Sequence, residues 1–212
     1  MTASEPSILT PTAGFSLLGV ATIYAIAHTS SNVLLKKNAS KSDRITFIWL
    51  AFDALIHFIF EGSFLYNSTF GRSVFGGTNI FCDLWREYAI ADSRWGSADP
   101  TVVALEILTV LGAGPICVLA LYQLVRDDPA RHFWLVILST GELYGGFMTF
   151  GPEWLTGSPS LRTDHWLYMW VYLFFMNMIW VVIPFWLLYD SYQHIARSMR
   201  LQQAATRAVK RE

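Results

Sequence analysis

Five long stretches nearly free of charged side chains, 14–35, 45–66, 102–125, 132–150 and 166–189, constrain this chain more than any other feature. Each runs 19 to 24 residues. A hydrocarbon core of about 30 Å is crossed by about 20 helical residues rising about 1.5 Å each, so every stretch is long enough to span a bilayer. The predicted fold class is an all-α integral membrane protein with five transmembrane helices, the last four enclosing an apolar pocket lined by acids. A soluble bundle would show a polar stripe at helical period on each helix, and 166–189 has none. The first stretch is expected to remain a helix rather than act as a signal peptide. It exceeds the usual apolar length of a signal, and residues 1–10 contain no Lys or Arg.

The basic residues set an orientation. Lys36, Lys37, Lys41, Arg44, Arg126, Arg131, Arg197, Arg200, Arg207, Lys210 and Arg211 fall on one side, eleven in all, against Arg72, Arg86, Arg94 and Arg162 on the other. The positive-inside rule then puts the C-terminus in the cytoplasm and the N-terminus on the lumenal or external side. The net charge of −1, from 15 basic against 16 acidic residues, gives no field to gather phosphate, so nucleic acid is excluded as a partner. Cys82 and Cys117 have no CxxC spacing and read as packing residues.

No repeat or linker divides the chain. The segments read as 1–13, an N-terminal segment; 14–35, the first membrane helix; 45–190, a four-helix membrane domain; and 191–212, a basic cytoplasmic tail. The connection 67–101 is too long for a turn. Its Trp85, Arg86, Tyr88, Arg94 and Trp95 suit a helix at the membrane interface, acting as an anchor or as a lid. Pro115 and Pro184 predict kinks.

Inside the spans lie four carboxyls, Asp53, Glu61, Glu106 and Glu142, and no Lys or Arg. Each is costly in lipid and must face protein, water or ligand. Asp53, His57 and Glu61 recur every four residues, on one helix face. Counted from the lumenal end, Glu106 lies about 6 Å deep, Glu61 about 7, Thr109 about 10, Glu142 about 12, His57 about 13, Asn177 about 16 and Trp180 about 21 Å. One pocket could hold them all. A His with several carboxyls against apolar walls is an acid/base kit. A purely structural His57–Glu61 pair and a proton-coupled transporter are the competing uses. Metal binding through His57, Glu61 and Glu106 lacks a second His at ligand spacing, so no metal is expected. No phosphate loop, dinucleotide fingerprint, nucleophile elbow or HExxH occurs.

At these residues the chain resembles the emopamil-binding protein (EXPERA) family. The matching segments are 56–62 (IHFIFEG), 84–88 (LWREY) with 92–95 (DSRW), 105–109 (LEILT) and 175–180 (FMNMIW). Residues 142–145, 148–150 and 152–156 look closer to its emopamil-binding-protein-like branch. The resemblance implies a cofactor-independent sterol Δ8-Δ7 isomerase of the endoplasmic reticulum, or an enzyme acting in the same way on another polycyclic terpenoid. His57 and Glu61 would deliver a proton, Glu106 and the ring face of Trp180 would stabilise the carbocation, and Thr109 and Asn177 would orient the carboxyls. His57, Glu61, Glu106, Asn177 and Trp180 are thus the expected catalytic set. Asp53, Thr109, Trp85, Tyr88, Trp95, Glu142 and Tyr144 are expected around the substrate, with Tyr88 and Trp95 closing the mouth. Asp53 stands where the family leads us to expect a small apolar residue. The implied partners are a lipophilic sterol or terpenoid and the bilayer, with a second copy of the chain left open. A silent binder of sterols or cationic amphiphiles would use the same cavity.

Overall fold

The computed structural model describes residues 10–210, so most of the predicted segment 1–13 lies outside the described residues. Helix α1 (Pro11–Leu34) starts at Thr10, whose hydroxyl accepts the Ala13 N–H at 2.9 Å, with Pro11 in the first turn where no donor is needed. Helix α2 (Lys41–Ser68) is capped by Ser40, and α3 (Ile80–Ala91) by Asn79. A short α4 (Arg94–Ser97) leads into α5 (Pro100–Val125), capped by Asp99 ahead of its proline. Helix α6 (Arg131–Leu155) and the long α7 (Leu167–Val209) complete the described residues, which contain no sheet beyond one antiparallel bridge between Asp92 and Leu161.

Four helices, α1, α2, α5 and α7, are long and apolar enough to cross a membrane, which makes the chain an integral membrane protein. The fifth expected span is also a helix, α6, of 25 residues, but it is more polar and is not among those four. Its ends nevertheless reach both ends of the bundle. At one end Arg131 pairs with Asp43 at 2.8 Å, beside a Lys36–Asp127 ion pair and a Ser42–Asp190 hydrogen bond of 3.1 Å. At the other end Arg94 binds the Thr149 carbonyl at 2.7 Å, Tyr172 donates to Glu87 at 3.0 Å and Arg162 N–H reaches the Ala91 carbonyl at 2.9 Å. The loops rich in basic residues therefore meet at one end, and those carrying Arg72, Arg86, Arg94 and Arg162 meet at the other.

Trp49, Leu50 and Ala54 of α2, Cys117 and Ala120 of α5, Leu135 and Leu138 of α6 and Leu187 of α7 make one buried cluster, which ties the last four long helices together. Helix α1 packs on α2 outside that cluster. The tail expected to fray is the continuation of α7, helical to Val209 and mostly exposed beyond Ser191. Pro184 sits inside α7.

Three of these helices change pitch along their length. Ile56–Glu61 in α2, Thr109–Ala113 in α5 and Leu167–Phe175 in α7 are π-helical. A π turn widens the helix and leaves backbone room, and such turns recur at functional sites. The turn in α5 directly precedes Gly114 and Pro115, so the proline's missing N–H falls where the ladder is already reset. Gly114 is also where the Phe58 ring of α2 comes closest to α5. A Cβ there would stand 2.8 Å from Phe58 Cε1.

Candidate active site

The π turn of α2 carries His57 and Glu61. Positions four apart share a helix face in either pitch, so both side chains point the same way. His57 Nδ1 and Glu61 Oε2 are 2.5 Å apart, and His57 Nε2 lies 3.3 Å from Asp53 Oδ1 without the alignment of a hydrogen bond. One imidazole thus stands between two acids. Asp53 is 0% exposed and His57 1%, whereas the Glu61 side chain keeps 15%.

The neighbouring helices add to both sides of the ring. From α5, Glu106 comes within reach of Glu61, and Thr109 Oγ1 donates to Glu106 Oε2 at 2.9 Å. On the Asp53 side, Trp180 Nε1 of α7 donates to Oδ1 at 2.8 Å and Cys117 Sγ of α5 donates to Oδ2 at 3.3 Å. Glu142 of α6 places its carboxyl within reach of Asp53. The groups therefore form two carboxyl pairs, Glu61 with Glu106 and Asp53 with Glu142, joined by His57.

Some expected members stand elsewhere. Asn177 spends its amide N–H groups on the Tyr88 hydroxyl at 3.4 Å and on the carbonyls of Tyr172 and Leu173 at 3.0 Å, not on a carboxyl. The Trp180 ring packs edge-on to Trp49 at 5.5 Å and beside Phe52 at 6.3 Å, with its N–H on Asp53. Tyr144 is exposed on α6. It lines an open apolar groove of about 420 Å³ between α5 and α6, together with Pro100, Thr101, Ala104, Leu105, Leu108 and Met148. No acid lines that groove, so its geometry differs from the enclosed acid-lined pocket expected.

The connection 67–101 folds over the end of α2 nearest Glu61. Trp85 and Trp95 stack at 4.8 Å and 6°, Phe64 of α2 meets Trp95 at 4.7 Å, and Trp85 Nε1 donates to Ser63 Oγ at 2.9 Å. Tyr88 packs on Trp95 at 5.3 Å, so Trp85, Tyr88 and Trp95 form one aromatic block bridged by Asn177 to α7.

Cys117 was expected only to pack, and its thiol proves to be an Asp53 partner. One ligand atom each from Asp53, His57 and Cys117 lies within 4.8 Å of the others, with one hydrogen bond among them, from the thiol to Asp53. The thiol donates to Asp53 Oδ2, Trp180 donates to Oδ1 and Nδ1 is committed to Glu61, while Nε2 has no aligned partner.

A helical membrane protein with a His and paired carboxyls buried between its spans defines the class. The family model described as EXPERA (EXPanded EBP superfamily) matches residues 80–191, and the chain belongs to that family. A 3-beta-hydroxysteroid-Delta(8),Delta(7)-isomerase of Cavia porcellus is 33% identical over 148 residues, 70% of this chain and 63% of that protein. A probable enzyme of the same name from Oryza sativa subsp. japonica is 30% identical over 204 residues, 96% of this chain and 89% of that protein. A protoglabretal synthase of Ailanthus altissima is 27% identical over 164 residues, 77% of this chain and 73% of its own. The matched family segment includes Glu106, Thr109, Glu142, Asn177 and Trp180. Asp53, His57 and Glu61 precede it.

Proposed function

We propose that the chain is a membrane-embedded isomerase that moves a ring double bond, Δ8 to Δ7 in a sterol or the equivalent shift in a related polycyclic terpenoid, without a cofactor. The observation that carries this reading is the 2.5 Å His57–Glu61 contact beside Glu106, in a chain with relatives named as sterol isomerases. The alkene π electrons take a proton from the His57/Glu61 pair, leaving a carbocation on the neighbouring carbon. A base of the same cluster then removes a proton from the next carbon, and that C–H electron pair becomes the new double bond. No proton or electron is gained overall.

Glu106, oriented by Thr109, stabilises the cation electrostatically in a site of low dielectric. Trp180 offers its ring to the cation while its N–H holds Asp53. Asn177 acts through Tyr88, holding the aromatic block of Trp85, Tyr88 and Trp95 over the site. Tyr144 contributes at the groove where a lipophilic molecule first meets the protein. In this reading all five long helices span the membrane of the endoplasmic reticulum, N-terminus lumenal and C-terminus cytoplasmic. Residues 45–190 form the catalytic domain and 191–212 the cytoplasmic tail.

Membranes carrying the wild type, incubated with Δ8 sterols in deuterated water, are expected to yield Δ7 product bearing deuterium. Glu106→Gln and His57→Ala lose both product and label. Unchanged turnover in both variants, or product without label, refutes the mechanism.

Two observations favour neighbouring readings. The extra acid Asp53 and the protoglabretal synthase relative favour a non-sterol terpenoid substrate, which metabolite profiling after heterologous expression would identify. The acid-free apolar groove favours a silent binder of sterols, for which saturable sterol binding with no isotope exchange is the expected result.

A further inference from the structure

The Glu142 carboxyl is the most conspicuous polar group that the isomerase chemistry does not use. Both its oxygens are sealed from solvent, and neither receives a hydrogen bond from any described residue. Its near neighbour is another carboxyl, that of Asp53. Such a pair cannot stand as two carboxylates. Two like charges side by side in a medium of low dielectric repel strongly. The groups facing Asp53 are His57 and, further along, Glu61 on its own helix, Cys117 from α5, Glu142 from α6 and Trp180 from α7. Of these, Trp180 and Cys117 already donate to Asp53, and His57 Nε2 stands 3.3 Å away with no aligned partner. A proton shared between the two carboxyls removes that repulsion and gives the Glu142 carboxyl the partner it lacks.

We infer that Asp53 and Glu142 hold one proton between them, with Glu142 as the donor, and that this singly charged pair is the positioning group that fixes the His57 ring from behind. The proton turns repulsion into a charge-assisted O–H···O⁻ bond, among the strongest hydrogen bonds a protein makes. The remaining charge lies on Asp53, facing Nε2. Nε2 then faces the Asp53 charge while Nδ1 contacts Glu61, which keeps Nδ1 aimed at Glu61. The value of that aim for catalysis rests on the isomerase reading, whereas the shared proton does not.

Infrared spectra of the full chain in lipid nanodiscs, in light and heavy water, test the pair directly. The wild type should show a protonated-carboxyl C=O component that shifts on deuteration, is lost in Glu142→Gln, moves in frequency in Asp53→Asn, and survives in Glu106→Gln. Glutamate labelled with ¹³C at its carboxyl gives the same reading, as a protonated carboxyl resonance that stays put across neutral pH in the wild type and is absent from Glu142→Gln. A component unchanged in both variants, or a wild type with no such resonance, overturns the proposal. So does one equivalent of divalent metal bound by the purified wild type and lost in Asp53→Asn. If the carboxyl signature is present but no sterol takes up deuterium, the shared proton stands and only the isomerase reading falls.

Discussion

Replacing Arg94 by Met should unfold the aromatic end of the bundle at markedly lower temperature. The guanidinium is 7% exposed and makes a forked pair with Asp92, at 2.9 Å from Nε and 2.7 Å from Nη2. Its third arm holds the Thr149 carbonyl of α6 at 2.7 Å, and Glu153 lies 3.8 Å away. Asp92 is 1% exposed. Removing the cation therefore strands one carboxylate with no route to water and leaves a second facing it. Breaking a buried pair in this way costs about 3–5 kcal/mol. For a chain of this length each kcal/mol moves the midpoint by about 2–4 °C, so Arg94→Met should fall by about 6–20 °C. Tryptophan fluorescence of the purified full chain during heating is the assay, because Trp85 and Trp95 lie in the block that this pair anchors. The double variant Arg94→Met/Asp92→Asn should recover part of the loss, since it removes the stranded charge together with its partner. A single-variant shift below about 2 °C, or a double variant no better than the single, refutes the reasoning.

Thr109→Val keeps the shape but removes the hydroxyl on Glu106; a hydrogen bond to a charged group is worth about 1.5–3 kcal/mol, so turnover should fall roughly tenfold to a hundredfold with the midpoint little changed. Trp180→Phe deprives Asp53 of its 2.8 Å donor, and both turnover and thermal midpoint should fall, the latter by about 1–3 kcal/mol equivalent. Gly114→Val should destabilise by about 1–3 kcal/mol through overpacking against Phe58, with Phe58→Ala in the same chain relieving it; a Gly114→Val midpoint equal to wild type would show that the ring simply swings aside.

The spans were legible because lipid forbids charge, and the gaps between charged residues mark them directly. The Asp53–His57–Glu61 face was legible for a local reason, since spacing along one helix fixes which side chains are neighbours. What could not be read was the rotation of one helix against another. A helix apolar all round gives no stripe to say which face turns inward. The thiol of Cys117 and the Glu142–Asp53 pairing depend on that rotation, as does the turning of Asn177 toward Tyr88 rather than a carboxyl. The π turns left almost no trace either. Gly112, Gly114 and Pro115 hinted at a disturbance in α5, but nothing in 56–61 distinguishes a wide turn from an ordinary one. Helix α6 was legible as a helix, although its glycines and polar residues leave it outside the four helices apolar enough to cross a membrane. It stands with the bundle because its termini are tied by Arg131 and by the Thr149 carbonyl.

The groove between α5 and α6 opens on the flanks of two bundle helices, with Leu108 and Tyr144 more than half exposed along it. In a bilayer such an opening faces acyl chains, so whatever occupies it arrives by lateral diffusion and is counted per lipid, not per litre. Saturation should then follow mole fraction in the membrane. At a fixed amount of ligand, added inert lipid acts as a diluent, while added buffer changes nothing.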